Sequence, residues 1–518
     1  MATNQTGSTG STGYDVTGRK DVSLLHGKAV GLLGVLFLTV TGAAPISAML
    51  FNVPIAVGWG NGIGAPAAFL FATVVLTIFS VGFAAMARKV TAVGGFYSFI
   101  SHGLGRPLGM GMGFASIVAY CVFETSLAGG FAYFGNANFK EWFGADIPWP
   151  VFALAMVAGI AILSYFDVKV SAIILGVALI GEVLILIIFD LGVIFSSTSN
   201  FDLAALNPAN AFAGFEEITR ADGTKLAAGA AAIGLFFAFW SWVGFEMAPN
   251  YGEESKDPKR IVPLSLYISV IGLGIFYIIT SWCALSAYPT VEDAVAQGQT
   301  ASSEFYLMPI AANIGAWARV AMQILILTSA FACGMAFHNT SARYIYSLAR
   351  EGVLHGGMAK THASYRSPHV ASCVQSVLAA IIIVLFMIFA GTNDPTQQAY
   401  LMIYGLMALL GTSLVLFAQA LVSLAIIVYF WTHHREEHHW FETLVAPLIS
   451  CAAQVYVIYL LFSQIEFLGG GLALADWILP FNIAIIVVGI LAALWLKSAK
   501  PDVYDKVGRL LYEGIGKE

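Results

Sequence analysis

Three glutamates lie inside long apolar stretches of the sequence, where an ionisable side chain is costly and is a candidate for function. They are Glu124, Glu182 and Glu246. A carboxylate in such surroundings can be the counter-ion of a bound amine, take up and release a proton, or ligate a hard cation such as sodium. It can also be a neutral acid that only makes a hydrogen bond.

The neighbours of each glutamate leave more than one of these roles open. Glu124 follows Tyr120 by one helical turn, and substrate binding, a structural hydrogen bond and proton relay are all considered for it. For Glu182 we consider proton coupling, packing against a serine or threonine, and a sodium site. Glu246 follows Gly244 closely, so gating or proton movement competes with capping of a helix through free backbone amides.

Two apolar segments are interrupted near their middles. The run Thr-Gly-Ala-Ala-Pro at 41–45 places a proline where it removes a backbone donor and clashes with the preceding turn. The run 240–246 places a glycine and a carboxylate in a second segment. Paired interruptions expose peptide groups and half-helix ends to a cavity, as in transporters built from inverted repeats. The alternative is that Pro45 only kinks a helix and Gly244 only permits close packing.

The composition places these residues in a membrane protein. Of 518 residues, 58% are hydrophobic and 10% are charged, against about 25% charged in ordinary soluble domains. A chain of this size has too few charged residues to cover a surface exposed to water, so the remaining apolar area must face lipid. A net charge of −6 without a basic cluster argues against nucleic-acid binding. Five widely spaced cysteines suggest neither disulfides nor a zinc site, and no cofactor is predicted.

Apolar runs long enough to cross a bilayer as helices, about 20 residues each, recur along the chain. Twelve spans are predicted near 30–57, 64–87, 108–135, 149–166, 170–195, 229–249, 262–287, 308–338, 370–390, 399–431, 443–464 and 476–496. With both termini in the cytoplasm, twenty of the 24 Lys and Arg residues fall on the inner side, as the positive-inside rule requires. The sequence therefore predicts an all-α polytopic protein of the plasma (inner) membrane.

Three blocks of sequence resemble the amino acid/polyamine/organocation (APC) superfamily of permeases. They are Gly-Phe-Glu at 244–246 with the acidic and basic loop at 253–263, Gly-Gly-Phe-Tyr at 94–97 with Gly-Leu-Gly at 103–105, and the block 341–354 with Ser-Pro at 367–368. The loop at 253–263 is the most specific of them. The resemblance covers roughly positions 90–370 of the chain.

The resemblance implies a five-plus-five inverted-repeat (LeuT-like) core with broken helices 1 and 6, followed by two C-terminal helices. It also implies that Glu124 faces the substrate, that Trp240 covers it, and that Glu182 lies where proton-coupled relatives often have a lysine. Core packing is the alternative for Trp240, although its aromatic face could also attract an ammonium group. The predicted substrate-binding residues are Thr41, Gly42, Ala43, Ala44, Tyr120, Glu124, Trp240, Ser241, Val243 and Gly244, and the predicted coupling residues are Glu182 and Glu246.

The chain departs from the superfamily pattern in the first broken helix. Members usually have Gly-Ser-Gly there, with amides that receive a substrate carboxylate, whereas this chain has Gly42-Ala43-Ala44-Pro45. Proline has no amide to offer. The departure favours substrates that lack a carboxylate.

One further motif resembles a metal site. The run His434-Arg435-Glu436-Glu437-His438 satisfies a His-x-x-Glu-His zinc pattern. Because the run lies in a short predicted cytosolic turn with no third ligand in view, we interpret it as a solvated, interfacial run of charges.

The predicted organisation follows from these assignments. It comprises a disordered cytosolic tail (1–28), a first repeat (29–196), an extracellular loop (197–228), a second repeat (229–431), helices 11 and 12 (432–497) and a cytosolic tail (498–518). The predicted function is that of a secondary transporter, not an enzyme, which imports amino acids or small amines with protons. Exchange of a precursor for its decarboxylated product and sodium coupling are the alternatives. The predicted partners are the small solute and the lipid bilayer.

Overall fold

The computed structural model describes residues 30–90, 95–166, 168–220, 222–252, 255–362, 367–389, 396–469 and 472–508. The predicted tail at 1–28 lies outside these residues. Within the described part the chain is almost entirely helical, and nine helical stretches there are long and apolar enough to cross a membrane. A polytopic all-α membrane protein, as predicted, is confirmed.

The described residues of the first half of the chain form seven helices, numbered here in chain order. Their bounds are α1 Leu32–Ala43, α2 45–61, α3 Ala65–Ala87, α4 Gly95–Gly103, α5 Arg106–Phe143, α6 Trp149–Phe166 and α7 Val168–Ile194. A segment with two short 3-10 turns and a two-stranded hairpin follows, in which β1 (Ile218–Thr219) pairs antiparallel with β2 (Lys225–Leu226). This hairpin is a small exception to the helical prediction.

The second half begins with another interrupted helix. The bounds are α8 Ala231–Trp240, α9 Phe245–Tyr251 (a 3-10 helix), α10 Pro258–Ser286, α11 Val291–Thr300, α12 Glu304–Asn313, α13 Ala316–Arg350, α14 His369–Phe389, α15 396–432, α16 441–463, α17 Ile465–Leu468, α18 Ile478–Ala499 and α19 Pro501–Tyr504. The predicted span 308–338 began too early, because Gly315 separates α12 from α13 with a φ of +127°. The short helices α4, α11 and α12 were not predicted.

Burial divides the helices into a centre and a rim. In the most apolar window of 231–251, 94% of the residues are buried, and α5 packs against α13, α15 and α18. In the corresponding windows of α14 and α18 only 22% are buried, and their large apolar side chains are exposed. Exposed apolar side chains on long helices are suited to lipid, whereas the interrupted helix α8–α9 lies at the protein centre.

The first interruption separates α1 from α2 at Ala44. Ala44 has φ +42° and ψ +78°, the only positive φ of a non-glycine residue in the described part of the chain. Pro45 then begins α2, a position that suits proline because the first helical residue has no intrahelical N–H bond to lose. The predicted break thus ends one helix and starts another instead of only kinking it.

The second interruption lies between Trp240 and Phe245, and it touches the first. Gly244 has φ +124°, a conformation that favours glycine. A Cβ on Gly244 would overlap the Gly42 carbonyl carbon and lie 2.7 Å from the Ala43 nitrogen. A Cβ on Gly42 would in turn lie 3.2 Å from the Gly244 Cα. The two backbones therefore approach this closely because positions 42 and 244 are both glycine.

The described C-terminal residues pack against the end of α13. The Gly508 N–H donates to Glu351 Oε1 at 3.1 Å, and the Tyr97 hydroxyl donates to the other carboxylate oxygen. Arg106 forms an ion pair with Asp505 at 3.2 Å. Burial raises the pKa of Glu351 to about 7, although the bonds from Tyr97 and Gly508 oppose this shift. This part of the chain therefore connects α4, α5 and α13.

The contact between the two breaks predicts a strict need for glycine at 244. We expect Gly244→Ala to destabilise the protein by about 2 kcal/mol or more, because strain at the positive φ adds to overpacking against α1. Thermal unfolding in detergent measures the effect. Gly272→Ala in α10 is the matched control: apart from the backbone of its own helix, no atom lies within 4 Å of the added carbon, and alanine favours a helix. Equal unfolding midpoints for the two variants would show that the breaks do not press together.

Candidate functional site

The peptide groups released by the first break find partners on neighbouring helices. The Cys333 thiol of α13 donates to the Gly42 carbonyl oxygen at 3.0 Å. The Tyr277 hydroxyl of α10 donates to the Ala43 carbonyl oxygen at 3.0 Å. Buried carbonyl oxygens need such donors, because the surrounding lipid offers none. The neighbouring helices therefore satisfy the carbonyl oxygens that the break releases, and the broken conformation is part of the folded structure.

Glu182 lies beside the same break. Its Oε2 accepts a hydrogen bond from the Ser329 hydroxyl of α13 at 2.7 Å, and the carboxylate also accepts the backbone N–H of Ile46. Ser47 donates to Ser329 at 2.9 Å, which extends the chain of contacts into α2. Glu182 thus links α7 to α2 and α13. Packing against a serine, one of the alternatives left open by the sequence, is present, and the carboxylate also contacts the start of α2.

Glu246 caps the second break. Its Oε2 accepts the Gly244 N–H at 2.9 Å, and its Oε1 accepts the Tyr120 hydroxyl at 3.0 Å. A carboxylate at the beginning of α9 also suits the positive end of a helix. The capping geometry considered from the sequence is therefore present, together with a link to α5 through Tyr120.

A small hollow lies between the two breaks. It has a volume of about 20 Å³, which is room for about one water molecule. Of the predicted substrate-binding residues, six line it: Gly42, Ala43, Ala44, Trp240, Ser241 and Val243. Among the described residues that line it, none is charged. The hollow is closed in this conformation, and its wall combines aromatic rings with the polar side chains of Ser47, Asn52 and Ser241.

A polar bridge crosses this hollow. Asn52 of α2 donates to the Ser241 hydroxyl at 2.8 Å and accepts the Tyr404 hydroxyl of α15. Trp240 Nε1 donates to the same Tyr404 oxygen at 2.9 Å. Asn52 and Tyr404 were not predicted as site residues. A buried asparagine 11 residues after Thr41 is a weak sequence signal, and nothing in the sequence pairs it with residue 404.

Trp240 has both an aromatic environment and a hydrogen bond. Its ring stacks on Phe123 with centroids 4.5 Å apart and on Phe337 at 6.0 Å. Phe337 also lines the hollow and was not predicted. Trp240 therefore packs in the core and also lines the hollow. Core packing and a position against the substrate, the two roles considered from the sequence, are compatible.

Four predicted binding residues, Thr41, Tyr120, Glu124 and Gly244, do not line the hollow. Glu124 points between α5, α13 and α14, where Gln375 donates to it at 2.6 Å and His338 Nδ1 lies 3.0 Å away. Its position within an apolar span predicts a buried side chain but does not show which neighbouring helices surround it. Tyr120 bonds Glu246, Gly244 forms the helix contact, and Thr41 is buried with no hydrogen-bond partner for Oγ1 among the described residues.

The histidine-rich turn has ordinary interfacial contacts. His434 pairs with the Tyr429 hydroxyl at 3.0 Å, and the His438 ring packs on Trp431. Lys89 forms an ion pair with Glu437. The part of the chain that the structure describes holds no group of three or more His, Cys, Asp or Glu side chains suited to a metal ion.

Apolar helices arranged around two interrupted ones define an integral membrane protein of the transporter class. The amino acid permease family model matches residues 30–495, nearly the whole described chain. The protein therefore belongs to the amino acid permease family of the APC superfamily, and it is a transporter rather than an enzyme.

The curated relatives are distant. The chain is 22% identical over 330 residues to a low-affinity putrescine importer of Escherichia coli strain K12, covering 61% of this chain and 66% of the importer. It is 22% identical over 391 residues to a branched-chain amino acid permease of Bacillus subtilis, covering 70% and 73%. It is 26% identical over 145 residues to an aspartate–proton symporter of Bacillus subtilis, covering 27% and 28%. The match to the putrescine importer spans just under two thirds of that protein's length.

The polar bridge predicts that Asn52 supports substrate binding. We expect Asn52→Leu to raise the KM for the transported solute about tenfold, because Ser241 and Tyr404 lose a shared partner at the hollow. Initial uptake rates in proteoliposomes measure KM. Asn482→Leu removes a comparable buried hydrogen bond, to Ser413 on the rim, and should leave KM unchanged. A tenfold rise in both variants would indicate a general loss of stability instead.

Proposed function

We propose that this permease is a secondary active transporter that imports amino acids or small organic amines by alternating access, coupled to protons. The observation that supports this most is the contact of two interrupted helices around a closed central hollow. Half-helix ends at such a place offer partial charges and peptide groups to a small polar solute. Inverted-repeat transporters use this arrangement to bind substrate at the membrane midplane.

The proposal includes a specific topology. Twelve spans cross the plasma membrane, with both termini in the cytoplasm and the loop 197–228 outside. The helices α1 to α7 form a first repeat over 29–196, and α8 to α15 form a second over 229–431. The helices in 432–497 add two spans. Support comes from the interruptions themselves, which occur in the first helix of each proposed repeat.

The chemistry of the hollow favours an amino group over a carboxylate. Pro45 has no N–H, and the next amide, that of Ile46, is already bonded to Glu182. The Gly244 amide is likewise bonded to Glu246. Trp240 instead presents an aromatic face, which can attract an ammonium group. The names of the relatives, a putrescine importer among them, include substrates with and without a carboxylate.

Glu182 and Glu246 are the proposed coupling residues because each contacts one of the breaks. Glu182 accepts from Ile46 and Ser329, and Glu246 accepts from Gly244. Gain or loss of a proton changes the cost of burying each carboxyl group among these partners. A conformation that opens the break to water is favoured when the group is charged, so protonation and helix movement become linked.

Access from outside is proposed to pass through a larger cavity. This cavity has a volume of about 960 Å³ and is lined by α2, α8, α15 and the segment after α16. Tyr400, Ile55 and Phe237 are among its wall residues. Since α2, α8 and α15 also enclose the hollow, a relative movement of these helices would join the two spaces.

The first prediction from this proposal concerns energy coupling. We expect proteoliposomes to accumulate labelled putrescine or leucine when the outside is made acidic, without sodium and without internal substrate. Uptake is measured over time by filtration. Uptake that requires internal counter-substrate but no gradient would support the exchanger instead, and uptake driven only by sodium would support the sodium-coupled carrier.

Glu182 provides the sharper prediction. We expect Glu182→Gln to abolish gradient-driven accumulation but to preserve exchange of internal for external substrate, because the amide keeps the hydrogen bonds and cannot carry a proton. Ser329→Ala is the matched control, since it removes one bond to Glu182 but no proton-binding group. Full accumulation by Glu182→Gln would remove Glu182 from the coupling mechanism.

A further inference from the structure

A second polar cluster lies outside the hollow, where α5, α13 and α14 meet. Gln375 Nε2 donates to Glu124 Oε2 at 2.6 Å, and His338 Nδ1 lies 3.0 Å from the same oxygen. His338 Nε2 lies 2.7 Å from the Ser372 hydroxyl. Ser341 donates to the Gln375 side-chain oxygen at 2.7 Å. All five side chains are buried, and we refer to them as the Glu124 cluster.

The net charge of the Glu124 cluster depends on one proton. A neutral imidazole beside an ionised carboxyl group gives the cluster a charge of −1. One added proton brings it to zero, either as imidazolium with carboxylate or as imidazole with carboxylic acid. An unbalanced charge is costly in a protein interior that is itself surrounded by lipid. A single proton is therefore enough to make the cluster neutral.

The surrounding helices supply no other balancing charge among the described residues. The other titratable group beside the cluster is Cys121 of α5, which contacts Gln375 and Glu124 and has no positive form. The sequences of α6, α14 and α15 contain no Asp, Glu, Lys or Arg. His369, at the start of α14, packs on Tyr165, and the next cation on α13, Arg343, lies over the Tyr251 ring.

Two atoms of the cluster can accept the extra proton without movement of the heavy atoms. If the proton attaches to His338 Nε2, the resulting N–H donates a hydrogen bond to Ser372, whose hydroxyl then changes from donor to acceptor. On Glu124 it would attach to Oε1, which is buried and has no hydrogen-bond partner in the described part of the chain. The cluster therefore offers a hydrogen-bond acceptor for the proton on His338 Nε2 and an unoccupied oxygen for it on Glu124.

We propose that Glu124 and His338 share one exchangeable proton and form a proton-binding site separate from the substrate hollow. Glu124 lies one turn from Tyr120, which bonds Glu246 at the second break. Between them Phe123 stacks on Trp240 at the hollow. Helix α5 thus connects this site to both the hollow and the capped break. A role in transport rests on the proposed proton coupling, whereas proton binding itself does not.

Thermal unfolding against pH tests the proton without any substrate. The stability of the protein depends on pH wherever the folded and the unfolded chain bind different numbers of protons. A difference of one proton changes the unfolding equilibrium constant tenfold per pH unit. We expect Glu124→Gln, which retains acceptors for Gln375 and His338, to remove this one-proton slope from the full-length protein in detergent.

The matched control is Ser341→Ala, which removes a hydrogen bond from the cluster but no titratable group. It should lower the unfolding midpoint at every pH and keep the wild-type slope. If Glu124→Gln fails to fold, the double variant Glu124→Gln with His338→Gln replaces the pair by two neutral amides and should lose the same one-proton contribution to the slope. Identical slopes in the wild type and in the folded glutamine variant would overturn the proposal.

A transport measurement separates this site from the hollow. In proteoliposomes that accumulate labelled substrate, Glu124→Gln should flatten the pH dependence of the uptake rate and leave KM unchanged, because neither Glu124 nor His338 lines the hollow. A raised KM with an unchanged pH profile would place Glu124 in substrate binding and contradict the proposal. Absence of uptake by the wild type would disprove the proposed function, while the unfolding measurement would still decide the proton site.

Discussion

Inside a membrane every peptide group released from a helix must find a partner within the protein, and the centre of this molecule is organised by that requirement. The two breaks expose carbonyl oxygens at Gly42 and Ala43, which accept from Cys333 and Tyr277. They also expose amides at Ile46 and Gly244, which donate to Glu182 and Glu246. Helices α5, α7, α10 and α13 are therefore fixed around the breaks by the bonds they provide.

The same bonds place titratable groups where a change of conformation must change their surroundings. Glu182 and Glu246 each hold the start of a half-helix, so any movement that widens a break exposes or repartners a carboxyl group. The hollow between the breaks is closed around Asn52, Trp240 and Tyr404, while a much larger cavity lies beyond it. In the proposed mechanism, substrate access and proton access therefore involve the same helices, which is the physical basis for linking them.

The sequence predicts where the two helices are interrupted, but it does not predict which side chains lie next to one another. Pro45 and Gly244 have local consequences that do not depend on the rest of the fold, because one lacks an N–H and the other adopts a positive φ. Glu124 was expected to face the substrate, whereas its partners are His338 and Gln375, because the position of a residue along a helix does not determine which helices lie opposite it. Likewise His338 and Asn52 are unremarkable in the sequence and become informative only beside Glu124 and Tyr404.

The amino-acid sequence by itself determined that the chain is a helical membrane protein, that two of its helices are interrupted, and that it resembles the APC permeases. These properties follow from hydrophobicity and from the backbone limits of proline and glycine, which act within a few residues. Only the tertiary structure decided that Glu182 contacts Ser329 beside the first break and that Glu124 pairs with a histidine. Those partners come from residues more than a hundred positions apart, and their meeting depends on how the helices pack around one another.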